Sequence, residues 1–373
     1  MKLIRQFYST KVLYKNGVFI SICLGVALVV SLFVIPNFNV GKRGGQLYQV
    51  RGEYVKYNDH EYVSQFFRSI QRQRGVLILG TSESSPYPDG NYFDYLNQDP
   101  DLKETRFSVL GGAGRTCGLH IPTFLRHRTE LKGLKVVYFI NPIYWRNGLS
   151  EMGPSYWERD HDYQELVDIE LTAKERERYF KPVQVFMDSY STQQRQNSYL
   201  DKVMRDLRKP FYQDAWYLIE PNLYTDGLKW VPKNTGNLKQ FKNFGTYDPS
   251  EIDTSWNVTK EFMQHKVFRS IDVKSNYRKM ELESFIHLCK DLEIDVTFIV
   301  GPYNKKFIEK HESSAEIENV VVSIKTLLNE NKASYIDASD LSNEVGAFND
   351  FQHHSNYGAY LIYKKIKQHY LER

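Results

Sequence analysis

A serine in the first quarter of the chain, and an aspartate and a histidine near its end, are the residues best suited to chemistry. Ser82 lies in VLILGTSESS, residues 76–85, directly after an apolar run that ends in glycine. Asp350 and His353 lie in FNDFQHHSNYGAYLIYKKI, just before a stretch with helical periodicity. Because a serine hydroxyl is a weak nucleophile, it needs an imidazole to take its proton and a carboxylate to orient that imidazole. These residue types predict a serine nucleophile served by a histidine and an aspartate.

Spacing alone does not decide which histidine acts as the general base. His353 follows Asp350 by three residues, a spacing that can place both side chains on one side of a turn, and His354 follows directly. We take His353 as the base and His354 as its rival. The segment also has an ordinary structural explanation, because a helix N-terminus favours an aspartate for capping and for the helix dipole.

Two segments supply candidate donors for the negative oxygen that forms when a serine attacks an acyl group. Removing one such donor typically costs about 3 kcal/mol of transition-state stabilisation. Gly112 and Gly114 lie in GGAGRT, residues 111–116, where little side chain covers the backbone N–H groups. Asn141 ends the apolar run in FINPIYW and offers a side-chain amide. Glycine clusters are also typical of tight turns, so the case for these three residues depends on their combination with Ser82.

Five apolar runs predict the buried strands that would position these residues. In chain order the runs are VLILG, RFSVLGG, LKVVYFIN, IDVTFIVGP and ASYIDAS. Stretches with helical periodicity precede several of them, and this alternation predicts an α/β fold with a mostly parallel sheet flanked by helices. Chemistry in such sheets gathers at the carboxyl ends of the strands. Ser82 directly follows the first run, which explains why hydroxyl residues end a buried strand.

The N-terminal part contains a segment that is long and apolar enough to span a bilayer. GVFISICLGVALVVSLFVIP, residues 17–36, has no charged residue, and a spanning helix needs about 20 apolar residues. A signal peptide fits less well, since its apolar region has about 7 to 15 residues. We therefore expect residues 1–16 in the cytoplasm, one transmembrane anchor, a connector over residues 37–58 and an extracytoplasmic domain over residues 59–373. The flanking charges are nearly balanced and set this orientation only weakly.

A long segment between the third and fourth runs departs from the α/β pattern. Residues 145–275 contain many aromatic and charged residues but no clear strand. At least one helix start is indicated by the capping box in TAKE, where Thr172 stands three residues before Glu175. We interpret this segment as a largely helical insertion in the extracytoplasmic domain.

The overall composition indicates a folded protein and argues against two kinds of ligand. With 373 residues, of which 41% are hydrophobic, the chain can bury a substantial core. The formal net charge is +4 and the lysines and arginines are spread out, which does not favour nucleic-acid binding. No cluster of Cys, His and carboxylate residues has metal-ligand spacing, so we expect neither a metal nor another cofactor. Only Cys117 and Cys289 lie outside the expected anchor, and they predict no disulfide framework.

Four sequence blocks resemble, in the same order, those of a known protein family. The blocks are GTSES, FINPIYW, FIVGPYN and DFQHHSNYG. A serine block after a strand, Asn141 after a later strand and a late Asp-x-x-His are similar to the SGNH, or GDSL-like, hydrolases. Together with Gly358 and the single N-terminal anchor, the set more specifically resembles DltD, the membrane-anchored D-alanyl transfer protein of teichoic acid D-alanylation. The resemblance extends along the whole chain but is concentrated in these short blocks.

The resemblance implies a membrane-anchored serine O-acyltransferase at the cell envelope. Ser82 would take a D-alanyl group and pass it to a cell-surface polymer such as teichoic acid, with Asp350 and His353 completing the triad. The family further implies a membrane-bound O-acyltransferase partner that delivers the acyl group across the bilayer.

Three departures from the family blocks bear on the acyl group and the acceptor. Thr81 stands where the family often has serine, residues 141–143 read Asn-Pro-Ile in place of Ser-Pro-Gln, and Tyr357 replaces a tryptophan. Two alternatives therefore stay open. One is an SGNH-type O-acetyltransferase or esterase acting on a polysaccharide, and the other is a non-catalytic adaptor that binds the polymer through its aromatic insertion.

Overall fold

A parallel five-stranded sheet forms the centre of the protein. The computed structural model describes residues 16–28, 60–84, 90–112, 115–145, 169–181, 238, 277–309, 314–350 and 352–372. The strands are β1 (Val76–Gly80), β2 (Phe107–Val109), β3 (Lys135–Ile140), β4 (Asp295–Val300) and β5 (Ser334–Asp337). They lie in the order β2-β1-β3-β4-β5, and every neighbouring pair is parallel. The predicted α/β fold with a mostly parallel sheet is confirmed, and each of the predicted runs contains one strand.

Both faces of the sheet are covered. Val76, Leu77, Ile78 and Leu79 in β1 have no exposed surface, although successive side chains of a strand point to opposite faces. A strand buried on both faces is typical of a parallel sheet between layers of helices. The run VLILG of β1 was readable in the sequence for this reason, because no polar face interrupts it.

Helices connect the strands. Their bounds are α1 (His60–Arg72), α2 (Tyr92–Gln98), α3 (Cys117–Arg126), α4 (Arg128–Leu131), α5 (Ala173–Glu175), α6 (Tyr277–Asp291), α7 (Lys305–Glu309), α8 (Ser314–Glu330) and α9 (Asn356–Leu371). Short 3-10 turns lie next to the strands. Those at Ser82–Ser84, Pro142–Trp145 and Ser339–Asn343 follow β1, β3 and β5, and the one at Pro100–Leu102 precedes β2.

The strand register brings the ends of β1, β3 and β4 to one edge of the sheet. Gly80 in β1 is the partner of Phe139 in β3, and Ile140 in β3 is the partner of Val300 in β4. The segments that leave these strands therefore start side by side. They carry the serine block, the FINPIYW block and the FIVGPYN block of the sequence.

The start of α9 positions the C-terminal block at this same edge. Ser355 caps the helix, and its side chain accepts a hydrogen bond from the Gly358 N–H at 3.1 Å. The backbone just before the helix pairs with Phe348 through an isolated bridge at His354. Gly358 also lies so close to the backbone of Ala347 that an added Cβ would be 2.1 Å from the Ala347 carbonyl oxygen. A side chain at this position would push the start of α9 away from the loop that carries Asp350.

Parts of the predicted domain organisation lie outside the described residues. Residues 16–28 are helical, whereas the rest of the expected anchor and the connector over residues 37–58 are not described. Among the described residues, no helix is both long and apolar enough to cross a membrane. Most of the expected insertion over residues 145–275 is also outside the description. Within the described residues 169–181, the helix α5 begins with the predicted capping box, in which Thr172 and Glu175 bond to each other. The domain boundaries stay predictions.

Candidate active site

A sharp turn after β1 presents Ser82 at the carboxyl edge of the sheet. Gly80 has φ +151°, and a Cβ at this position would lie 2.5 Å from Ser84 Oγ. A residue without a side chain is therefore needed where the strand ends and the Ser82–Ser84 turn begins. The turn is closed by the Ser84 N–H, which donates to the Thr81 carbonyl at 3.0 Å. Ser82 itself is half-buried.

The structure brings Ser82, His353 and Asp350 together in one hydrogen-bonded line. Ser82 Oγ lies 2.8 Å from His353 Nε2, and His353 Nδ1 lies 2.6 Å from Asp350 Oδ2. The side chain of Asp350 is 15% exposed and that of His353 is 32% exposed. This arrangement matches the order of contacts that a serine nucleophile, its general base and an orienting carboxylate require.

Asp350 is held as a carboxylate. Its Oδ1 accepts the backbone N–H groups of Gln352 at 2.8 Å and His353 at 2.7 Å. Burial raises the pKa of Asp350, but the hydrogen bond and the charge of His353 and these backbone N–H groups outweigh it, so the pKa lies below its usual range. An ionised Asp350 keeps the proton of neutral His353 on Nδ1 and leaves Nε2 able to accept the proton of Ser82.

The FIVGPYN block supports the loop that carries Asp350. Asn304, the last residue of that block, donates from Nδ2 to the Asp350 carbonyl at 3.2 Å. Asn304 follows β4 and is buried, so it connects the loop that carries Asp350 to the sheet edge. This contact gives a physical reason for a polar residue in that block.

His354 points away from Ser82. Its Nε2 lies 2.8 Å from Asn91 Oδ1, and burial lowers the pKa of His354 to about 3. Asn91 also donates from Nδ2 to the Glu83 carbonyl at 3.0 Å. His354 and Asn91 thus join the C-terminal loop to the turn that carries Ser82. Of the two histidines that the spacing left open, His353 is the one placed next to the serine.

Glu83 is a buried carboxylate beside the serine. It is 2% exposed, and it accepts hydrogen bonds from the Thr81 hydroxyl and from the Asn141 amide. Burial raises the pKa of Glu83 above its usual range, although the charge of His353 and these donors oppose that shift. When Glu83 is ionised, its charge favours the protonated form of His353.

Of the residues predicted to bind the oxyanion, Gly112 and Asn141 are described, and the structure shows both bonded to other groups. The Gly112 N–H donates to the Gly80 carbonyl at 3.2 Å, because the segment after β2 continues to bond alongside β1. Gly114 lies outside the described residues. Asn141 is 2% exposed, its amide donates to Glu83, and its Oδ1 accepts the Ile143 N–H at 2.8 Å. The Gly112 N–H therefore bonds to the end of β1, and the Asn141 amide bonds to the buried Glu83 side chain.

Two residues that the sequence did not single out contact the serine. The hydroxyl of Tyr144 lies 3.1 Å from Ser82 Oγ, and Gln352 Nε2 lies 3.5 Å from the same oxygen. Both side chains are buried, with 7% and 8% of their surface exposed. Their positions gave a weak signal only, since Tyr144 lies inside FINPIYW and Gln352 lies between the predicted aspartate and histidine.

No metal site is found in the part of the chain that the structure describes, since no three His, Cys, Asp or Glu residues there could hold an ion together.

Cys117 and Cys289 are both buried. Burial raises the pKa of each thiol, which disfavours the reactive thiolate.

The fold and the site define a parallel α/β protein with a serine, histidine and aspartate line at the carboxyl edge of its sheet. Residues 233–371 match a family model described as DltD protein, which confirms the resemblance over the part that holds the FIVGPYN and DFQHHSNYG blocks. The matched part includes Asp350 and His353 and excludes Ser82. This match supports an acyl-transfer role in general.

Other comparisons add little. The crystal structure of an acetyl xylan esterase, AlAXEase, is similar to this chain at 10% sequence identity and a TM-score of 0.36. The alignment covers 79% of this chain and 98% of that one. No curated protein sequence matches the chain.

Proposed function

We propose that the protein is a serine O-acyltransferase that holds an acyl group on Ser82 before it passes the group to a hydroxyl of a cell-surface polymer. The observation that carries this proposal is the 2.8 Å contact between Ser82 Oγ and His353 Nε2, on an imidazole whose other nitrogen bonds Asp350. A serine with these two partners is arranged to form and to break esters.

The reaction has two half-steps that use the same groups. First, Ser82 Oγ attacks the carbonyl carbon of the acyl donor and its proton moves to His353 Nε2. The donor's leaving group departs with that proton, and an ester on Ser82 remains. Next, an acceptor hydroxyl loses its proton to His353 and attacks the ester carbonyl, and Ser82 recovers the proton as its bond to the acyl carbon breaks. Water in place of the acceptor hydroxyl would make the same site an esterase.

The acyl group is D-alanyl and the acceptor is teichoic acid or a related polyol or glycan polymer. The family match over residues 233–371 and the order of the sequence blocks support this assignment. The donor is a membrane-bound O-acyltransferase that presents the acyl group outside the cell.

The protein is anchored to the cell membrane through residues 17–36, with the N-terminus inside and the catalytic domain outside. The helical residues 16–28 support this proposal, because large apolar side chains on them are exposed, with Phe19 at 66% and Leu24 at 64%. Exposed apolar surface of this kind needs a covering partner, and lipid would supply one.

The identity of the acyl group is tested by trapping the ester. The purified full-length chain is incubated with a D-alanyl thioester or an acetyl thioester, quenched in acid and digested for peptide mass spectrometry. We expect a D-alanyl ester on Ser82 and no ester in the Ser82→Ala variant. An acetyl ester alone would favour the polysaccharide O-acetyltransferase or esterase, and no ester with either donor would favour the non-catalytic adaptor.

Asp350→Asn is expected to lower kcat by about 10⁴-fold, because a neutral amide no longer fixes the proton of His353 on Nδ1. The measurement is hydrolysis of 4-nitrophenyl acetate by the purified full-length chain. Asp340→Asn is the matched control, since Asp340 is an exposed aspartate paired with Lys365, and it should keep the wild-type rate. A loss below about tenfold in Asp350→Asn would mean that His353 does not depend on this carboxylate.

The pH profile should show an inflection above the ordinary histidine pKa of about 6.5. Burial lowers the pKa of His353, but the hydrogen bond to Asp350 and the charges of Glu83 and Asp350 outweigh it, so the pKa is raised. Because only neutral His353 can take the serine proton, kcat/KM should fall as the pH drops through this raised pKa. Asp350→Asn should move the inflection to lower pH. An inflection at or below the ordinary value in the wild-type protein would contradict the assignment of His353 as the base.

A further inference from the structure

A serine acyl-transfer site needs donors for the oxygen that becomes negative when the serine attacks. Such donors act on charge that exists in the transition state but not in the substrate, so they raise kcat more than they change KM. The structure engages the Gly112 N–H with the Gly80 carbonyl and the Asn141 amide with Glu83. Other groups beside Ser82 are therefore the better candidates.

Two polar side chains converge on the serine from different elements. Tyr144 comes from the Pro142–Trp145 turn after β3, and Gln352 comes from the loop before α9. The Tyr144 hydroxyl is 3.1 Å from Ser82 Oγ and 3.3 Å from Gln352 Nε2. Both side chains are buried, so a hydrogen bond from either one is little weakened by water.

On the basis of the function proposed above, we propose that the Tyr144 hydroxyl and the Gln352 amide together bind the oxyanion formed on the acyl group attached to Ser82. Hydrogen bonds to such an oxygen are about 2.7 to 3.1 Å long. Two donors 3.3 Å apart can both reach one oxygen at that distance. Both also lie close enough to Ser82 Oγ to reach an oxygen on the carbon bonded to it.

Protonation of His353 during the reaction favours a hydrogen bond from the Gln352 amide to the oxyanion. Gln352 Nε2 lies 3.1 Å from His353 Nε2, so while the proton of neutral His353 is on Nδ1 the amide shares the single acceptor lone pair of Nε2 with the Ser82 hydroxyl. When His353 takes the serine proton, Nε2 becomes a donor and no longer accepts from the amide. The amide N–H then loses one acceptor at the moment when the negative oxygen appears beside it.

The test compares Tyr144→Phe and Gln352→Met with the wild-type full-length protein. Each variant removes a donor and keeps a side chain of similar length. We expect kcat for 4-nitrophenyl acetate hydrolysis to fall by about 10²-fold in each variant, with KM changed by less than about threefold. Tyr363→Phe is the matched control, because the Tyr363 hydroxyl donates to Asp99 and not to the site, and it should keep the wild-type kcat.

A boronic acid separates oxyanion binding from a merely structural role. Phenylboronic acid mimics the intermediate, because Ser82 Oγ bonds to its trigonal boron, the serine proton moves to His353 and the boron becomes tetrahedral and negative. Its Kd should rise by about the same factor as kcat falls in each variant, and the apparent pKa of the pH profile should stay that of the wild type in Tyr144→Phe, which removes a hydroxyl that contacts Ser82 and Gln352. A Gln352→Met variant with a shifted pKa and unchanged boronate Kd would show that Gln352 only positions His353, which would overturn the proposal for that residue.

The outcomes also separate this inference from the proposed function. If the wild-type protein neither hydrolyses the ester nor binds the boronate, the acyl-enzyme function itself fails. If the wild-type protein is active, Ser82→Ala is inactive, and both donor variants keep kcat and boronate Kd within about threefold of wild type, only the oxyanion assignment fails.

Discussion

Ser82→Ala is expected to remove the acyl ester from the purified protein and to lower ester turnover by about 10⁶-fold, the scale on which a nucleophile matters in a serine enzyme. In cells, the same variant should lose acylation of the surface polymer. The reason is that the Ser82 hydroxyl lies 2.8 Å from His353 Nε2, the atom that would take its proton. Turnover by the full-length protein and alkaline release of acyl groups from cell envelopes measure the two effects.

Ser339→Ala provides the control for the serine variant. Ser339 bonds to Asp337 and Lys325 after β5, so its loss removes a hydroxyl without touching the proposed nucleophile. This variant should keep both turnover and surface acylation. Surface acylation at the wild-type level in a Ser82→Ala strain that makes normal amounts of the protein would contradict a catalytic role for Ser82.

His353→Gln should be nearly as damaging as Ser82→Ala, because glutamine cannot take the serine proton at neutral pH. The rate of Ser82 phosphonylation by a fluorophosphonate measures this loss directly. In that reaction the bond from Oγ to phosphorus forms, fluoride leaves and the serine proton goes to the base. We expect the labelling rate to fall by at least about 10³-fold.

His354→Gln tests the assignment between the two neighbouring histidines. Because His354 bonds Asn91 away from Ser82, its replacement should keep the labelling rate within about tenfold of wild type. It should also lower the free energy of unfolding by about 1 to 3 kcal/mol, since a buried hydrogen bond is lost. The reverse pattern, with labelling lost in His354→Gln and kept in His353→Gln, would make His354 the base.

The residues of the Ser82, His353 and Asp350 line were predictable because the proposed chemistry restricts the residue types. Only a serine after a buried strand and a histidine close to an aspartate meet those needs, and both patterns are local in the sequence. The strands were predictable for a similar reason, since a strand buried on both faces, such as β1, shows an unbroken apolar run. The choice between His353 and His354 could not be predicted from the sequence, because it depends on Asn91, a residue that is distant in sequence.

The residues predicted as oxyanion donors show what a local sequence pattern leaves out. Glycines after a strand can offer free N–H groups, but the segment ending in Gly112 stays beside β1 and bonds Gly80 instead. The contact of Tyr144 with Ser82 depends on how the ends of β1 and β3 align, which no local pattern encodes. In the sequence, a glutamate at position 83 is typical of the first turn of a helix. In the fold, Glu83 is buried and accepts hydrogen bonds from Thr81 and Asn141.

The most direct test of the account asks whether Asp350 and His353 act on Ser82 as one unit. The measurement is the fluorophosphonate labelling rate of Ser82 in Asp350→Asn, in His353→Gln and in the double variant. If the carboxylate works only through the imidazole, the double variant should label at the rate of His353→Gln, within about threefold. Losses that multiply in the double variant would show two independent effects and would contradict a Ser82, His353 and Asp350 triad.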